Sequence, residues 1–370
     1  MSETRSHPSE LRFRSALGAI PAYIPGKPPK RVDGRPSYKV SSNENPYPPL
    51  PGVLRAAMRA VESMNRYPDL TSTALLEALS ARLDVPVNRL AVGAGSAAVL
   101  YNLLQATCET GDEVIYAWRS FEAYPIAVAL TGATAIEVAL TADGRHDLDA
   151  MAAAVSTKTK VILICTPNNP TGEVVRGDDL QAFLRAVPVG VLVVIDEAYR
   201  EFVREPRAVD GIDLHREHPN VVVLRTFSKA YGLAGLRVGM AIGSELVMAA
   251  IRKCAVPFGL SDIAQQAAIA SLAAEADLLQ RVEGIVGERS RMVNALRELG
   301  WEVRDSQANF LWLELCEDTH AFAMAAEAAG LIVRSFPGEG ARVTIGEPET
   351  NSLFLDVVRQ WNVHKRSPIG

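Results

Sequence analysis

The stretch that decides the fold is Val221-Val-Val-Leu-Arg-Thr-Phe-Ser-Lys-Ala-Tyr-Gly-Leu-Ala-Gly-Leu-Arg237. Its first part, Val221–Arg225, is apolar without alternation up to Leu224, the pattern of a strand covered on both faces of a mostly parallel sheet. A lysine follows four residues later. An ammonium group resists desolvation, so Lys229 just past a buried strand is a poor structural choice. The same desolvation, beside other cations, lowers its pKa and makes the amine nucleophilic. Thr226 and Ser228 offer hydroxyls and Arg237 a guanidinium, a set suited to clamping a phosphate.

Working outward, short β-branched runs recur at Leu90–Val92, Glu113–Tyr116, Ala135–Val138, Val161–Cys165, Val189–Ile195 and Val238–Ile242, separated by amphipathic stretches such as Ser72–Leu83, Ala97–Thr107 and Asp178–Ala186. With Val221–Arg225 they predict a seven-stranded, mostly parallel sheet in an α/β domain over residues 46–256. Residues 1–45 carry Pro21, Pro25, Pro28, Pro29 and Pro36 and read as an irregular arm that joins a smaller domain. From Pro257 to the C-terminus the texture changes. A helical region over Ser261–Leu299 precedes strand candidates at Ala308–Leu315, Leu331–Arg334 and Arg342–Ile345, which predicts a smaller α+β domain over 257–370.

Ligands of open α/β sheets collect at the carboxyl ends of the strands. Three further places there carry polar chemistry. Asp196 follows Val189–Ile195; a buried carboxylate needs a cation such as a protonated pyridine nitrogen, or else caps a following helical segment. Val92-Gly-Ala-Gly-Ser-Ala-Ala98 is a strand-to-helix junction whose small residues at Gly95 and Ser96 let backbone amides approach an anion, or form a tight turn with Ser96 as the cap. It lacks the third glycine of a dinucleotide fingerprint. Thr166-Pro-Asn-Asn-Pro-Thr-Gly172 is a constrained turn in which Asn169 could offer an amide to a phenolate and Asn169–Pro170 is a candidate cis bond; an ordinary loop is the alternative. A lysine nucleophile, a carboxylate for a ring nitrogen, an amide donor and an anion cradle together are what pyridoxal 5′-phosphate requires. Lys229 condenses with its aldehyde, Asp196 keeps its ring protonated, and Asn169 with Tyr199 steadies its phenolate.

Composition narrows the field. In 370 residues, 48% of them hydrophobic, 38 basic residues stand against 43 acidic ones for a net charge of −5, which argues against nucleic acid as a partner. No apolar run approaches the ~18 residues of a membrane helix, and Met1–Lys30 holds no apolar signal core, so a soluble, cytoplasmic protein is expected. Cys108, Cys165, Cys254 and Cys316 are widely spaced; they read as buried, reduced packing residues and not as metal ligands. His215 and His218 read as a solvated pair without metal.

At these motifs the chain resembles the fold-type I pyridoxal-phosphate aminotransferases, and within them the histidinol-phosphate aminotransferase family, from Tyr23-Ile-Pro-Gly26 through Arg342-Val-Thr-Ile-Gly346. The resemblance implies that Gly95, Ser96, Thr226, Ser228 and Arg237 hold the cofactor phosphate and that Phe121 stacks on its ring. It implies a homodimer, with Tyr67 of Asn65-Arg-Tyr-Pro-Asp69 reaching the partner's phosphate, and Arg342 gripping the substrate anion with Asn169 assisting and Arg334 and Tyr23 nearby. Surface packing is the alternative for Tyr67 and Tyr23. Where the family usually reads Pro-Thr-Tyr, this chain has Arg119-Ser-Phe121, leaving the stacking position open between Phe121 and Tyr124. The run Trp118-Arg-Ser-Phe-Glu-Ala-Tyr-Pro125, with Asn43-Glu-Asn-Pro-Tyr-Pro-Pro49, looks like the actinobacterial branch that acts on aromatic amino acids, phenylalanine in particular, with 2-oxoglutarate or a similar oxo acid as acceptor. Histidinol phosphate is the alternative substrate, because one arginine can serve a phosphate ester or a carboxylate. Three other readings remain: a decarboxylase on the same scaffold, which would release carbon dioxide in place of an oxo acid; a cofactor-binding transcription regulator, which would need a DNA-binding domain ahead of the body; and a nicotinamide dehydrogenase, which leaves Lys229 and Asp196 unexplained.

Overall fold

The computed structural model describes residues 37–366, together with Arg14, Leu17, Gly18 and Ile20. Tyr23 lies outside the described residues, as does most of the expected arm. The strands are β1 (Tyr38–Lys39), β2 (Leu90–Gly93), β3 (Glu113–Trp118), β4 (Thr134–Ala139), β5 (Thr159–Cys165), β6 (Leu192–Asp196), β7 (Val221–Thr226), β8 (Gly239–Ile242), β9 (Phe310–Glu314), β10 (Leu331–Ile332), β11 (Arg334–Phe336) and β12 (Gly340–Thr344). Seven of them form one sheet in the order β2-β8-β7-β6-β5-β3-β4. Every pairing is parallel except those of β8, which runs antiparallel to both of its neighbours.

Continuous apolar strands are buried twice over. Ile115, Ile162, Ile164, Val193, Ile195 and Val223 face a core built with Leu75, Leu79, Leu180, Phe183 and Ile212. Their alternating neighbours Val114, Tyr116, Val161, Leu163, Val194, Val222 and Leu224 face a second core with Val99, Leu103, Val128 and Met248. Period-2 alternation thus sorts one apolar run onto two helical layers. A third core, with Val282, Ile285, Leu296, Phe310, Leu313, Phe322 and Phe354, closes the C-terminal unit around the antiparallel sheet β11-β12-β9. β1 joins that unit by pairing in parallel with β10.

Four expectations need correction. The strand expected over Val189–Ile195 begins at Leu192, because the chain turns at Pro188–Val191 (Val191 N–H to Pro188 O, 2.9 Å) and Val189 stands in solvent. The helical region expected over Ser261–Leu299 breaks at Ala274 into Asp262–Ala273 and Glu275–Glu298. The first of these packs Ala264, Ala267 and Ala268 into the core of the large sheet. His215, expected in solvent, is buried, because the helix Gly211–Glu217 lies against β7 and turns that residue inward. Of the four free cysteines, Cys108 and Cys165 are buried as expected, Cys254 is half-buried and Cys316 is exposed.

Gly239, the first residue of β8, is the close-approach point of the sheet. A Cβ there would overlap the backbone of Gly95 and Ser96 at the β2–helix junction. Gly239→Ala is therefore expected to cost about 1–3 kcal/mol through overpacking. The check is a lowered thermal midpoint, and an unchanged one would show that the junction yields freely.

Candidate active site

The carboxyl ends of β5, β6 and β7, the β2–helix junction, the segment 39–44 and the hairpin β11–β12 converge on a cavity of about 260 Å³. Its walls hold Ser96, Phe121, Asn169, Asp196, Tyr199, Thr226, Ser228, Lys229, Arg237, Arg334 and Arg342. Nearly every residue singled out in the sequence is brought together here. Gly95 stands directly behind, as the cap of the helix Ser96–Thr107, and Ser96 is that helix's first residue and not its cap. Tyr67 is elsewhere on this subunit: it is 82% exposed and its ring meets Phe258 at 4.6 Å.

Lys229 is half-buried because it lines the cavity, and its Nζ donates to the Ser42 carbonyl at 3.0 Å. Desolvation, with Arg342 and Arg237 close by, lowers its pKa from 10.5 to about 7. Asp196 ends β6 on the same side. Tyr124, wholly buried, donates its hydroxyl to Asp196 Oδ2 at 2.9 Å, while Oδ1 is buried without a hydrogen-bond partner. Burial raises the Asp196 pKa to about 6, with the Tyr124 bond acting against that rise. A buried carboxylate oxygen left without a donor is a costly arrangement that a bound N–H would relieve.

At the other end of the cavity Gly95 has φ +90°, and a Cβ there would collide with the Arg237 guanidinium. Arg237 Nη1 donates to Ser228 Oγ at 3.2 Å, and the Ser228 amide donates to Thr226 Oγ1 at 3.1 Å. The helix Ser96–Thr107 points its amino end at the same place, where its dipole favours an anion. A cationic, hydroxyl-lined cradle, one lysine and a carboxylate with one unpartnered oxygen, lining a single cavity, fit a phosphorylated pyridine aldehyde.

Between the two ends, Asn43 Nδ2 donates to the Tyr199 hydroxyl at 2.8 Å, and Asn169 Oδ1 accepts from Arg342 Nη1. Arg342 Nη2 also donates to the Ser41 carbonyl at 2.6 Å. Burial holds the Tyr199 phenol well above its ordinary pKa. Asn169–Pro170 is cis as expected. Arg334 reaches the cavity wall but is engaged by Glu122.

Residues 36–358 match the family described as aminotransferase class I and II. The chain belongs to the class I and II aminotransferases. It is 57% identical to an aromatic amino acid aminotransferase of Streptomyces avermitilis over 98% of this chain and 99% of that one. It is 54% identical to the protein of the same name from Thermobifida fusca over 94% and 97%. Among solved structures, histidinol-phosphate aminotransferase from Sinorhizobium meliloti in complex with pyridoxal-5′-phosphate superposes with a TM-score of 0.86 at 26% identity, over 96% of this chain and 99% of that one. The mostly parallel seven-stranded sheet is that of the fold-type I enzymes, and this aminotransferase transfers an amino group.

Two residues of the site escaped sequence reading. Asn43 was noted only as part of a proline-rich run; its φ of +54° is a conformation asparagine tolerates better than most, which is a weak signal at best. Of the two rings left open for stacking, Phe121 is on the cavity wall and Tyr124 lies edge-on behind it at 5.5 Å, where its hydroxyl serves Asp196, a role the sequence does not signal.

The lowered Lys229 pKa carries a sign that the cofactor-free aminotransferase can test. A folded pKa of about 7 lies below the ordinary 10.5, so the folded state resists the proton. That penalty is absent above the unfolded value, grows as pH falls through the interval, and is complete below the folded value. Lys229→Met is expected to raise the thermal midpoint of the cofactor-free protein at neutral pH by several degrees. The gain should shrink to nothing on the alkaline side of 10.5, and equal midpoints for the two proteins at neutral pH would mean the amine is not desolvated.

Proposed function

We propose that this enzyme transaminates an aromatic amino acid, phenylalanine foremost, with pyridoxal 5′-phosphate held at Lys229 and an oxo acid such as 2-oxoglutarate as acceptor. The observation that carries the chemistry is the shared cavity of Lys229 Nζ and the unpartnered Asp196 Oδ1. The substrate class is supported by relatives named aromatic amino acid aminotransferase that align over almost their whole length.

When bound, the cofactor supplies an aldehyde that takes up the substrate amine and a ring that accepts the electrons left at Cα. Asp196 holds the ring nitrogen protonated, an assignment that fits its free oxygen. Gly95, Ser96, Thr226, Ser228 and Arg237 hold the phosphate, and Phe121 packs on the ring. Tyr199 accepts from Asn43 and so keeps its own O–H to donate to the ring oxygen, with the Asn169 amide as second donor. Arg342 grips the substrate carboxylate, and Asn169 Oδ1 orients its guanidinium. Lys229 Nζ, which lines the same cavity, would be the group that takes up and gives back the proton of the substrate Cα. A near-neutral pKa suits an amine that has to do both.

We propose further that the working form is a cytoplasmic homodimer with Tyr67 reaching the partner subunit's phosphate. Support comes from an apolar depression of about 1130 Å³ next to Tyr67, walled by Leu70, Val256, Phe258 and Leu260. Among the described residues no helix is long and apolar enough to cross a membrane.

The reading is tested by single-turnover reaction of the cofactor-loaded enzyme with L-phenylalanine and, separately, L-histidinol phosphate, followed by absorbance. Faster conversion by phenylalanine is expected. Faster conversion by histidinol phosphate, towards which the Sinorhizobium meliloti likeness leans, would replace the substrate and leave Lys229 in place. Lys229→Ala is expected to lose transamination while still binding some cofactor; substantial surviving turnover would reassign the proton carrier.

A further inference from the structure

At one rim of the cavity the two units exchange charges reciprocally. The segment after β3 supplies Arg119 and Glu122, and the hairpin β11–β12 supplies Arg334 and Glu339. Arg119 donates from Nε to Glu339 Oε2 at 2.9 Å and from Nη2 to Oε1. Arg334 donates from Nε to Glu122 Oε2 at 3.2 Å and from Nη2 to Oε1 at 2.6 Å. Both guanidiniums lie over the ring of Phe336, 5.3 and 5.6 Å from its centroid. The two pairs differ in one respect that matters: Glu122 and Arg334 line the cavity, whereas Arg119 and Glu339 do not.

Arg334 is 12% exposed at that wall. A guanidinium with so little water and no anion would present a net positive charge to whatever side chain the substrate brings, and so would favour an acidic one. The two-point contact with Glu122 cancels that charge in the geometry where a carboxylate does so best. An uncharged ring then meets a neutral wall. An acidic side chain has either to approach the Glu122 carboxylate or to displace it. Glu122 is 26% exposed and has water to turn to, so displacement is costly but open to a dicarboxylic oxo acid in the return half-reaction. Stacking on Phe336 keeps Arg334 at the wall whether or not Glu122 is there.

We propose that Glu122 is a specificity-determining residue: by neutralising Arg334 it biases the pocket towards uncharged aromatic side chains and against acidic ones. The proposal rests on the aromatic reading above. It is tested on the cofactor-loaded enzyme by kcat/KM for L-glutamate and for L-phenylalanine in the wild type, Glu122→Gln, Glu339→Gln and the double variant Glu122→Gln/Arg334→Gln. Glu122→Gln is expected to raise kcat/KM for glutamate, and its ratio to phenylalanine, about tenfold, chiefly through KM and less at high salt. Glu339→Gln, which frees an arginine outside the cavity, is expected to leave the ratio within about twofold. The double variant is expected to return it towards the wild type. No gain in Glu122→Gln, an equal gain in Glu339→Gln, or a gain that survives removal of Arg334 would each overturn the proposal. A wild type inactive on phenylalanine defeats the aromatic reading alone, because the response of glutamate turnover to Glu122→Gln still decides the role of Glu122.

Discussion

A lysine carried past the end of a buried strand loses the water that would hold its proton, and most of the architecture around β7 either produces that loss or works on it. The desolvation is geometric: Lys229 leaves β7 where the helix Ser96–Thr107, the segment 39–44 and the C-terminal unit meet, and each removes solvent from one side. Arg342 and Arg237 then add like charge from opposite ends of the cavity. The result is an amine able to hold or yield a proton near neutrality, placed between an anion cradle and a carboxylate oxygen that lacks a donor. Neither feature would persist on stability grounds alone, since each costs free energy in the empty protein.

Behind the catalytic face the same strand ends are tied down by charge. Asp196 faces the cavity, while Glu197, next along the chain, faces the other way. Its side chain is wholly buried, accepts the Gly211 amide at 2.7 Å and pairs with Arg225 at 2.8 Å. Arg225 also holds Asp210 at 3.1 Å, and Asp210 holds Arg200 at 3.0 Å. Tyr199 and Phe202 lie in the core of the C-terminal unit, so residues 196–202 are fixed from both sides. Strand alternation thus turns one of two adjacent acidic residues to the cavity and the other into the scaffold.

Much of this was legible in the sequence because the signals are local. Uninterrupted Val/Ile/Leu runs located the sheet, and polar residues immediately after them located Lys229, Asp196, Ser96 and Asn169. What was missed depends on partners far away along the chain. Nothing near Arg119 and Glu122 indicates that they meet Glu339 and Arg334, more than 200 residues later. Tyr124 follows Phe121 by three positions, so spacing could not tell the ring facing the cavity from the one behind it. The break at Ala274 between the helices Asp262–Ala273 and Glu275–Glu298 falls in an alanine-rich run with no proline or glycine to mark it. His215 sits in a polar stretch and is buried by the face its helix turns to β7, which composition does not encode.

The cavity is closed by residues from both ends of the described chain. β1 lies beside β10, the Asn43 amide donates to Thr344 Oγ1 at 2.9 Å, and Arg342 holds the Ser41 carbonyl across a separation of 301 residues. Closing a loop of that span costs conformational entropy that the contacts at its ends have to offset. The large sheet without β12 has the lysine and the cationic cradle, and lacks the wall that Arg342 brings. The complete pocket is thus a property of the end-to-end fold and not of the large sheet alone, so loosening the β1–β10 pairing would open the wall that Arg342 brings while leaving the lysine and the anion cradle in place.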